Sequence, residues 1–124
     1  MIRDESARRV ISVIVANEAS VLSRITDLFS GRGYNITSLT VAPIPDSKYS
    51  RLTIVTSGSI RVSEQITKQL HKLIPVLKVY DHVDLVEKEM ALIKFPANEN
   101  ITDIATLCAA YNGKIVNVGD NVII

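Results

Sequence analysis

The sequence predicts an α/β (α+β) sandwich of βαββαβ order, followed by the first half of a second domain of the same kind. Three observations predict it. Apolar, β-branched runs alternate with segments of helical spacing over residues 8–85. Glycine and proline punctuate the joins. A block that begins at Met90 repeats the opening of the chain.

The first strand is Val10–Ala16, "VISVIVA", β-branched and almost continuously apolar, as in a strand covered on at least one face. Val21, Leu22, Ile25, Leu28 and Phe29 then recur at three- and four-residue spacing, one face of a helix. Gly31 and Gly33 can supply the left-handed conformation that ends it. Asn35–Ala42, "NITSLTVA", is the second strand, closed by Pro43 and Pro45. Ser50–Gly58 is the third, with Leu52, Ile54 and Thr56 on one side, and the pair reads as a long hairpin. A second helix carries Val62, Ile66, Leu70 and Leu73, and Pro75 prevents its continuation. Val76–Val83 is the fourth strand. Two right-handed β-α-β crossovers place both helices on one face of a four-stranded antiparallel sheet, the ferredoxin-like arrangement. The opposite face has no helix to cover it. Read as apolar, that face predicts pairing with another copy of the chain or another domain.

Residues 86–124 form the second domain. A strand at Met90–Phe95 leads to Ala97-Asn98-Glu99, which echoes Ala16-Asn17-Glu18. A helix follows with Ile101, Ile104, Ala105 and Cys108 on one face, then Gly113 and a strand at Lys114–Val118. The loop asparagine and the strand-opening glycine are 16 residues apart in the first copy and 15 in the second. The closing "NVII" is the start of a third strand. The second domain is therefore about half present, as in a shortened or incomplete chain.

Lys plus Arg number 14 and Asp plus Glu 13, a balance that gives no electrostatic reason to expect nucleic acid or an anionic membrane as partner. Arg3, Arg8 and Arg9 form a modest basic group at the N-terminus, read as a solvated end. Cys108 is the one cysteine, so no intrachain disulfide can form and a reducing, cytoplasmic setting fits. No apolar run approaches the roughly 20 residues needed to cross a bilayer, and the N-terminus lacks the apolar core of a signal peptide.

Enzyme signatures are sparse. His71 lies on the polar side of the second helix and reads as solvated; His82, near Asp81 and Asp84, reads as a surface residue. With one Cys and two separated His there is no metal constellation. Gly31-x-Gly33 follows a helix and lacks the third glycine of a dinucleotide fingerprint. Glu18 has no second carboxylate or base beside it for acid-base work. Cys108, on an apolar helix face, reads as a buried structural thiol.

The chemistry left is that of two asparagines. Asn17 ends the first strand and Asn35 opens the second, so they lie at opposite ends of one sheet. Two copies related by a twofold axis would bring the loop of one to the strand opening of the other. The loop also precedes a helix N-terminus, whose free N–H groups favour an anion, and an amide binds either the carboxylate or the ammonium of an amino acid. The candidate effector site is Asn17, Glu18, Ala19, Ser20, Val21, Leu22, Asn35 and Ile36. The same asparagines also fit plain turn, cap and strand-end roles.

The runs "RRVISVIVANE", "LSRITDLFSGRGYNITSLTVAPI", "SRLTIVTSG", "QITKQLHKLIPVLKV" and "VEKEMALIKF" resemble the small regulatory subunits of acetohydroxyacid (acetolactate) synthase, an ACT-domain family, from Arg8 to about Val118. "RGYNI-SLTVAP" and "KQLHKL" are more specific than the general ACT pattern. The resemblance implies an N-terminal ACT domain (residues 8–85) that binds the effector, and a partial ACT-like C-terminal domain (residues 86–124). It implies a subunit without catalysis of its own, which activates the catalytic subunit and confers feedback inhibition by valine, or by leucine or isoleucine. Thiamine diphosphate, magnesium and FAD then belong to the catalytic partner and no cofactor is expected here. Valine is expected between two ACT domains of a homodimer, with Asn17 and Asn35 at the family's two asparagine positions. One departure stands out: Ser20 occupies the position of the family's usual glycine, where a Cβ could crowd a ligand carboxylate and a hydroxyl could cap the helix. Two alternatives remain. One is a stand-alone ACT sensor that regulates another enzyme or a transcription factor. The other is an acylphosphatase-like small hydrolase, which needs an arginine in the phosphate-cradling loop that "NEAS" does not supply.

Overall fold

The computed structural model describes residues 7–82 and 84–124. Arg3 and the expected strand end at Val83 lie outside the described residues. The chain divides into two compact units between Leu85 and Val86.

Unit 1 contains β1 (Ala7–Ala16), α1 (Val21–Gly31), β2 (Ile36–Pro43), β3 (Tyr49–Gly58), α2 (Ile60–His71) and β4 (Val76–His82). The sheet order is β2-β3-β1-β4, with β3 antiparallel to β1 and β2, and β4 antiparallel to β1. This is the expected ferredoxin-like βαββαβ arrangement. The central strands are therefore β1 and β3, and β2 and β4 are edges.

The core follows from strand pleat and helix period. Ile11, Val13 and Val15 alternate on one face of β1 and stand opposite Ile54, Leu52 and Ser50 of β3. Onto that face α1 sets Val21, Ile25, Leu28 and Phe29, and α2 sets Ile66 and Leu70, all in one buried cluster. Leu22, expected on the same helix face, is 43% exposed; a three-to-four spacing fixes a stripe, and Leu22 falls at its edge. Gly33 adopts φ +68°, the left-handed turn expected after α1. Ser59 caps α2 by accepting from the Val62 N–H at 3.3 Å.

The other face of the sheet corrects the apolar reading. It carries Val10, Ile14 and Val55, but also Ser12, Thr53, Arg51, Lys78, Tyr80 and His82, by the register of β1 with β3 and β4. His82 is half-buried rather than a plain surface residue: its Nε2 lies 2.8 Å from the Ser12 hydroxyl and its ring stacks on Tyr80 at 6.1 Å. Lys78 lies over the same Tyr80 ring at 4.9 Å. His71 is exposed on α2, its Nδ1 3.1 Å from the Thr67 carbonyl.

Unit 2 contains β5 (Phe95–Pro96), α3 (Ile101–Ala110) and β6 (Val122–Ile123). The expected strands at Met90–Phe95 and Lys114–Val118 are mostly unpaired: only Phe95–Pro96 pairs with β6, and Val118 makes a single bridge to Ile123. A strand forms only where a neighbour takes its hydrogen bonds, and β6, the neighbour of both, is two residues long. Helix α3 is present as expected, capped by Asn100 through the Thr102 N–H at 2.9 Å. Its apolar face is less buried than expected: Ile104 is buried, Cys108 half-buried, and Ile101 and Ala105 exposed.

Candidate functional site

The end of β1 is tied down on both sides by its backbone. The Ala16 N–H donates to the Pro75 carbonyl at 2.8 Å and the Asn17 N–H to the Lys48 carbonyl at 2.9 Å. The Glu18 N–H then turns back to the Ala16 carbonyl at 2.8 Å. Asn17, Glu18, Ala19 and Ser20 are consequently held as an exposed loop between the strand and α1. Val21 turns inward to the core and Leu22 stays exposed at the rim.

Ser20 is the N-cap residue of α1, with φ 70° and ψ −4°. That is the left-handed region, which glycine enters freely and an L-residue enters at a cost. Its hydroxyl makes no capping bond, contrary to the capping role that its residue type suggests. A normal N-cap residue is extended and aims its side chain at the second or third helical N–H; from a left-handed backbone Ser20 does not. The first turn of α1 thus presents free N–H groups, with no acidic residue in that turn to occupy them.

Asn35 precedes β2, exposed like Asn17. Its carbonyl accepts a short hydrogen bond from the Thr56 hydroxyl, which is buried at 1% exposure and fixes the opening of the strand. Among the described residues, neither asparagine side-chain amide has a hydrogen-bond partner.

One chain does not bring the two asparagines together. Ile36 stands opposite Thr56, and Thr56 opposite Arg9, whereas Asn17 follows Ala16. Seven strand residues, about 23 Å, therefore separate the two ends. The candidate residues form two groups: Asn17–Leu22 at one end of the sheet, Asn35 and Ile36 at the other.

Several supporting residues were not singled out from sequence. Tyr34 donates to Gln65 Oε1 at 3.3 Å and Arg32 to Gln69 Oε1 at 2.9 Å, so the segment before β2 is joined to α2. Tyr34 also meets Phe29 edge-on at 6.1 Å. The spacing of Gln65 and Gln69, four apart on one helix face, was the available signal. Thr56 was legible as a face assignment but not as the partner of Asn35.

No group of three His, Cys, Asp or Glu side chains among the described residues is placed to hold a metal ion. Among the described residues, no helix is long and apolar enough to cross a membrane.

Residues 11–78 match the family described as "AHAS small subunit-like ACT domain", and residues 88–124 the family described as "Small subunit of acetolactate synthase". The chain is 46% identical over 114 residues to the acetolactate synthase isozyme 3 small subunit of Escherichia coli, covering 90% of this chain and 70% of that protein. It is similar to the crystal structure of an acetolactate synthase small subunit from Thermotoga maritima, with 36% identity, a TM-score of 0.82, and coverage of 94% of this chain and 76% of that one. An ACT domain from the GTP pyrophosphokinase of Chlorobium tepidum shares the fold at 13% identity and TM-score 0.59, covering 69% of this chain and 97% of that one.

Proposed function

The chain belongs to the family of acetolactate synthase small subunits, and from that membership we propose that it is a non-catalytic regulatory subunit which senses a branched-chain amino acid, valine first. It activates the catalytic subunit of acetohydroxyacid synthase and makes it sensitive to valine in valine, leucine and isoleucine biosynthesis. Thiamine diphosphate, magnesium and FAD reside on that catalytic partner.

The observation that carries this reading is the loop Asn17–Ser20: an exposed, unpartnered amide beside uncapped N–H groups at the start of an 11-residue helix. The helix terminus receives the ligand carboxylate, and the amide receives the carboxylate or the ammonium group. Leu22, exposed beside the loop, offers an apolar contact for a short aliphatic side chain.

A homodimer supplies the other half of the site. Strand β2, "ITSLTVAP", is an eight-residue edge with no charged side chain, the kind of edge that pairs with another chain. Antiparallel pairing of two such edges about a twofold axis reverses one sheet relative to the other. The partner's Asn35 then comes to the end of the sheet where Asn17 stands. Dimerisation is thus assigned to the β2 edge rather than to the sheet face, which is only partly apolar.

The test joins binding and assembly. The protein is titrated calorimetrically with valine, leucine and isoleucine, and is mixed with the catalytic subunit from the same cell in a pull-down and an acetolactate-forming assay. Capture of the catalytic subunit, with stimulation that valine reverses, is expected. Failure to bind or stimulate it would leave a stand-alone amino-acid sensor.

A further inference from the structure

Helix α2 is tied to the segments that carry both asparagines. Arg32 and Tyr34, which lead to Asn35, donate to Gln69 and Gln65 of α2 at 2.9 and 3.3 Å. Past the end of α2, the Pro75 carbonyl accepts from the N–H of Ala16, the residue before Asn17, at 2.8 Å. The outer face of the same helix is basic. Ile66 and Leu70 turn inward to the core, and the helical period then sets Lys68, His71 and Lys72 on the solvent side, all three exposed. Arg32, held on Gln69, brings a further positive charge to this helix. From Gln65 to Tyr80 the sequence has no Asp or Glu.

A tight turn follows α2, closed by the Val76 N–H on the Leu73 carbonyl at 3.0 Å, with Leu73 packed against the core. Ile74 stands at its corner and is 97% exposed. Leu77, at the bulge where β4 shifts register against β1, is 59% exposed. Basic side chains near a helix C-terminus favour the helix dipole, which accounts for Lys68 and His71 by local physics. It does not account for Ile74. Turn corners ordinarily take Gly, Pro, Asn, Asp or Ser, and an isoleucine pointed at solvent gains nothing inside the chain. The turn bond and the Pro75–Ala16 bond hold it in place, so it is an apolar knob presented in advance beside lysines.

We propose that this corner, formed by Lys68, His71, Lys72, Ile74 and Leu77, docks on the catalytic subunit, against an acidic surface with an apolar pocket that receives Ile74. The proposal rests on the regulatory reading above and adds the place of contact. An apolar anchor within a polar rim is the anatomy of a protein interface, and a corner free of carboxylates complements an acidic surface. A nucleic acid or an anionic membrane draws on a longer basic surface: a protein that binds DNA through its backbone neutralises about six to ten phosphates. Such an occupant also offers no pocket for a lone isoleucine. The location suits regulation. A ligand held at Asn17 or Asn35 acts on a segment bonded to α2 or to the turn after it, and that turn carries the contact.

Affinity for the catalytic subunit of the same cell, measured at low and high salt, tests it. The unaltered chain is expected to bind more weakly at high salt. The double variant Lys68→Glu, Lys72→Glu is expected to raise Kd about tenfold or more at low salt, with α2 keeping its amide protection. Because that variant also alters the dipole end of α2, Ile74→Ser supplies an independent readout: it touches no packing inside unit 1 and is expected to raise Kd about tenfold. Lys78→Glu is the control, an exposed lysine over Tyr80 on the opposite face of the sheet, expected to bind as the unaltered chain does. Unchanged Kd in both the double variant and Ile74→Ser overturns the proposal and leaves the regulatory reading standing. Equal weakening by Lys78→Glu overturns it too, since overall charge would then be at work and not this corner. If Kd is unchanged while single-stranded DNA or phosphatidylserine vesicles bind the unaltered chain and not the double variant, the corner belongs to a polyanion and the proposal falls. No binding of the catalytic subunit by the unaltered chain removes the regulatory reading itself, and this proposal with it.

Discussion

Replacing Ser20 by glycine is expected to stabilise unit 1. Ser20 holds φ 70° at the start of α1, and its hydroxyl makes no capping bond. Relief of a left-handed L-residue is worth about 1–2 kcal/mol. Glycine gives back about 0.4–1 kcal/mol through the greater entropy of the unfolded chain. Nothing is lost from the cap. The net is a gain of roughly 0.5–1 kcal/mol, which for a unit of this size raises Tm by about 2–8 °C. Thermal unfolding followed by circular dichroism measures it, with Ser20→Ala as the companion. Alanine keeps the Cβ and the strain and removes only an unbonded hydroxyl, so it should stay within about 0.5 kcal/mol of the parent. A loss of about 1 kcal/mol or more in Ser20→Ala, as for a true N-cap serine, would show that the hydroxyl does cap the helix. A destabilised Ser20→Gly would refute the backbone reasoning outright. The same substitution bears on ligand affinity. If the Ser20 Cβ crowds the valine carboxylate and weakens a charge-assisted hydrogen bond, valine should bind Ser20→Gly roughly ten- to a hundredfold more tightly.

Four further outcomes are expected. Asn17→Ala should weaken valine binding by a similar factor in calorimetric titration while its stability stays within about 0.5 kcal/mol, because the amide has no partner among the described residues. Leu70→Ala, at a side chain with 0% exposure between α2 and the sheet, should cost about 2–5 kcal/mol in denaturant unfolding. Ser63→Ala removes a donor at 2.5 Å from Asp81 Oδ2 and should cost about 1–2 kcal/mol; a neutral result would mean that water replaces it. At low concentration, amide exchange should be slower in β1 and β3 than anywhere in unit 2, whose helix buries Ile104 alone; equal protection would show that unit 2 is as firmly packed as unit 1.

Much of unit 1 was legible in the residues. Val, Ile and Leu at strand and helix periods, with Gly33 and Pro75 at the joins, specify elements by local rules: the pleat, the 3.6-residue turn, and the backbone torsions that glycine and proline allow. Those rules placed both helices, all four strands and the loop Asn17–Ser20 to within a few residues, and the repeat located α3. They did not specify what depends on a neighbour. Lys114–Val118 has the composition of a strand, but a strand is completed by its partner's hydrogen bonds, and β6 reaches only part of it. The sheet face away from the helices reads apolar along β1, yet β3 and β4 set Arg51, Lys78 and Tyr80 beside it, because register decides which residues share a face. The sequence by itself determined the order and kind of the elements, the repeat and the family. Only the tertiary structure decided that Ser20 takes a left-handed backbone without capping α1, that His82 meets Ser12, and that Thr56 holds the Asn35 carbonyl. The physical reason is that periodicity and turn chemistry act between residues close in sequence, whereas the sign of a strained φ and the partner of a side chain are set by groups brought near through folding.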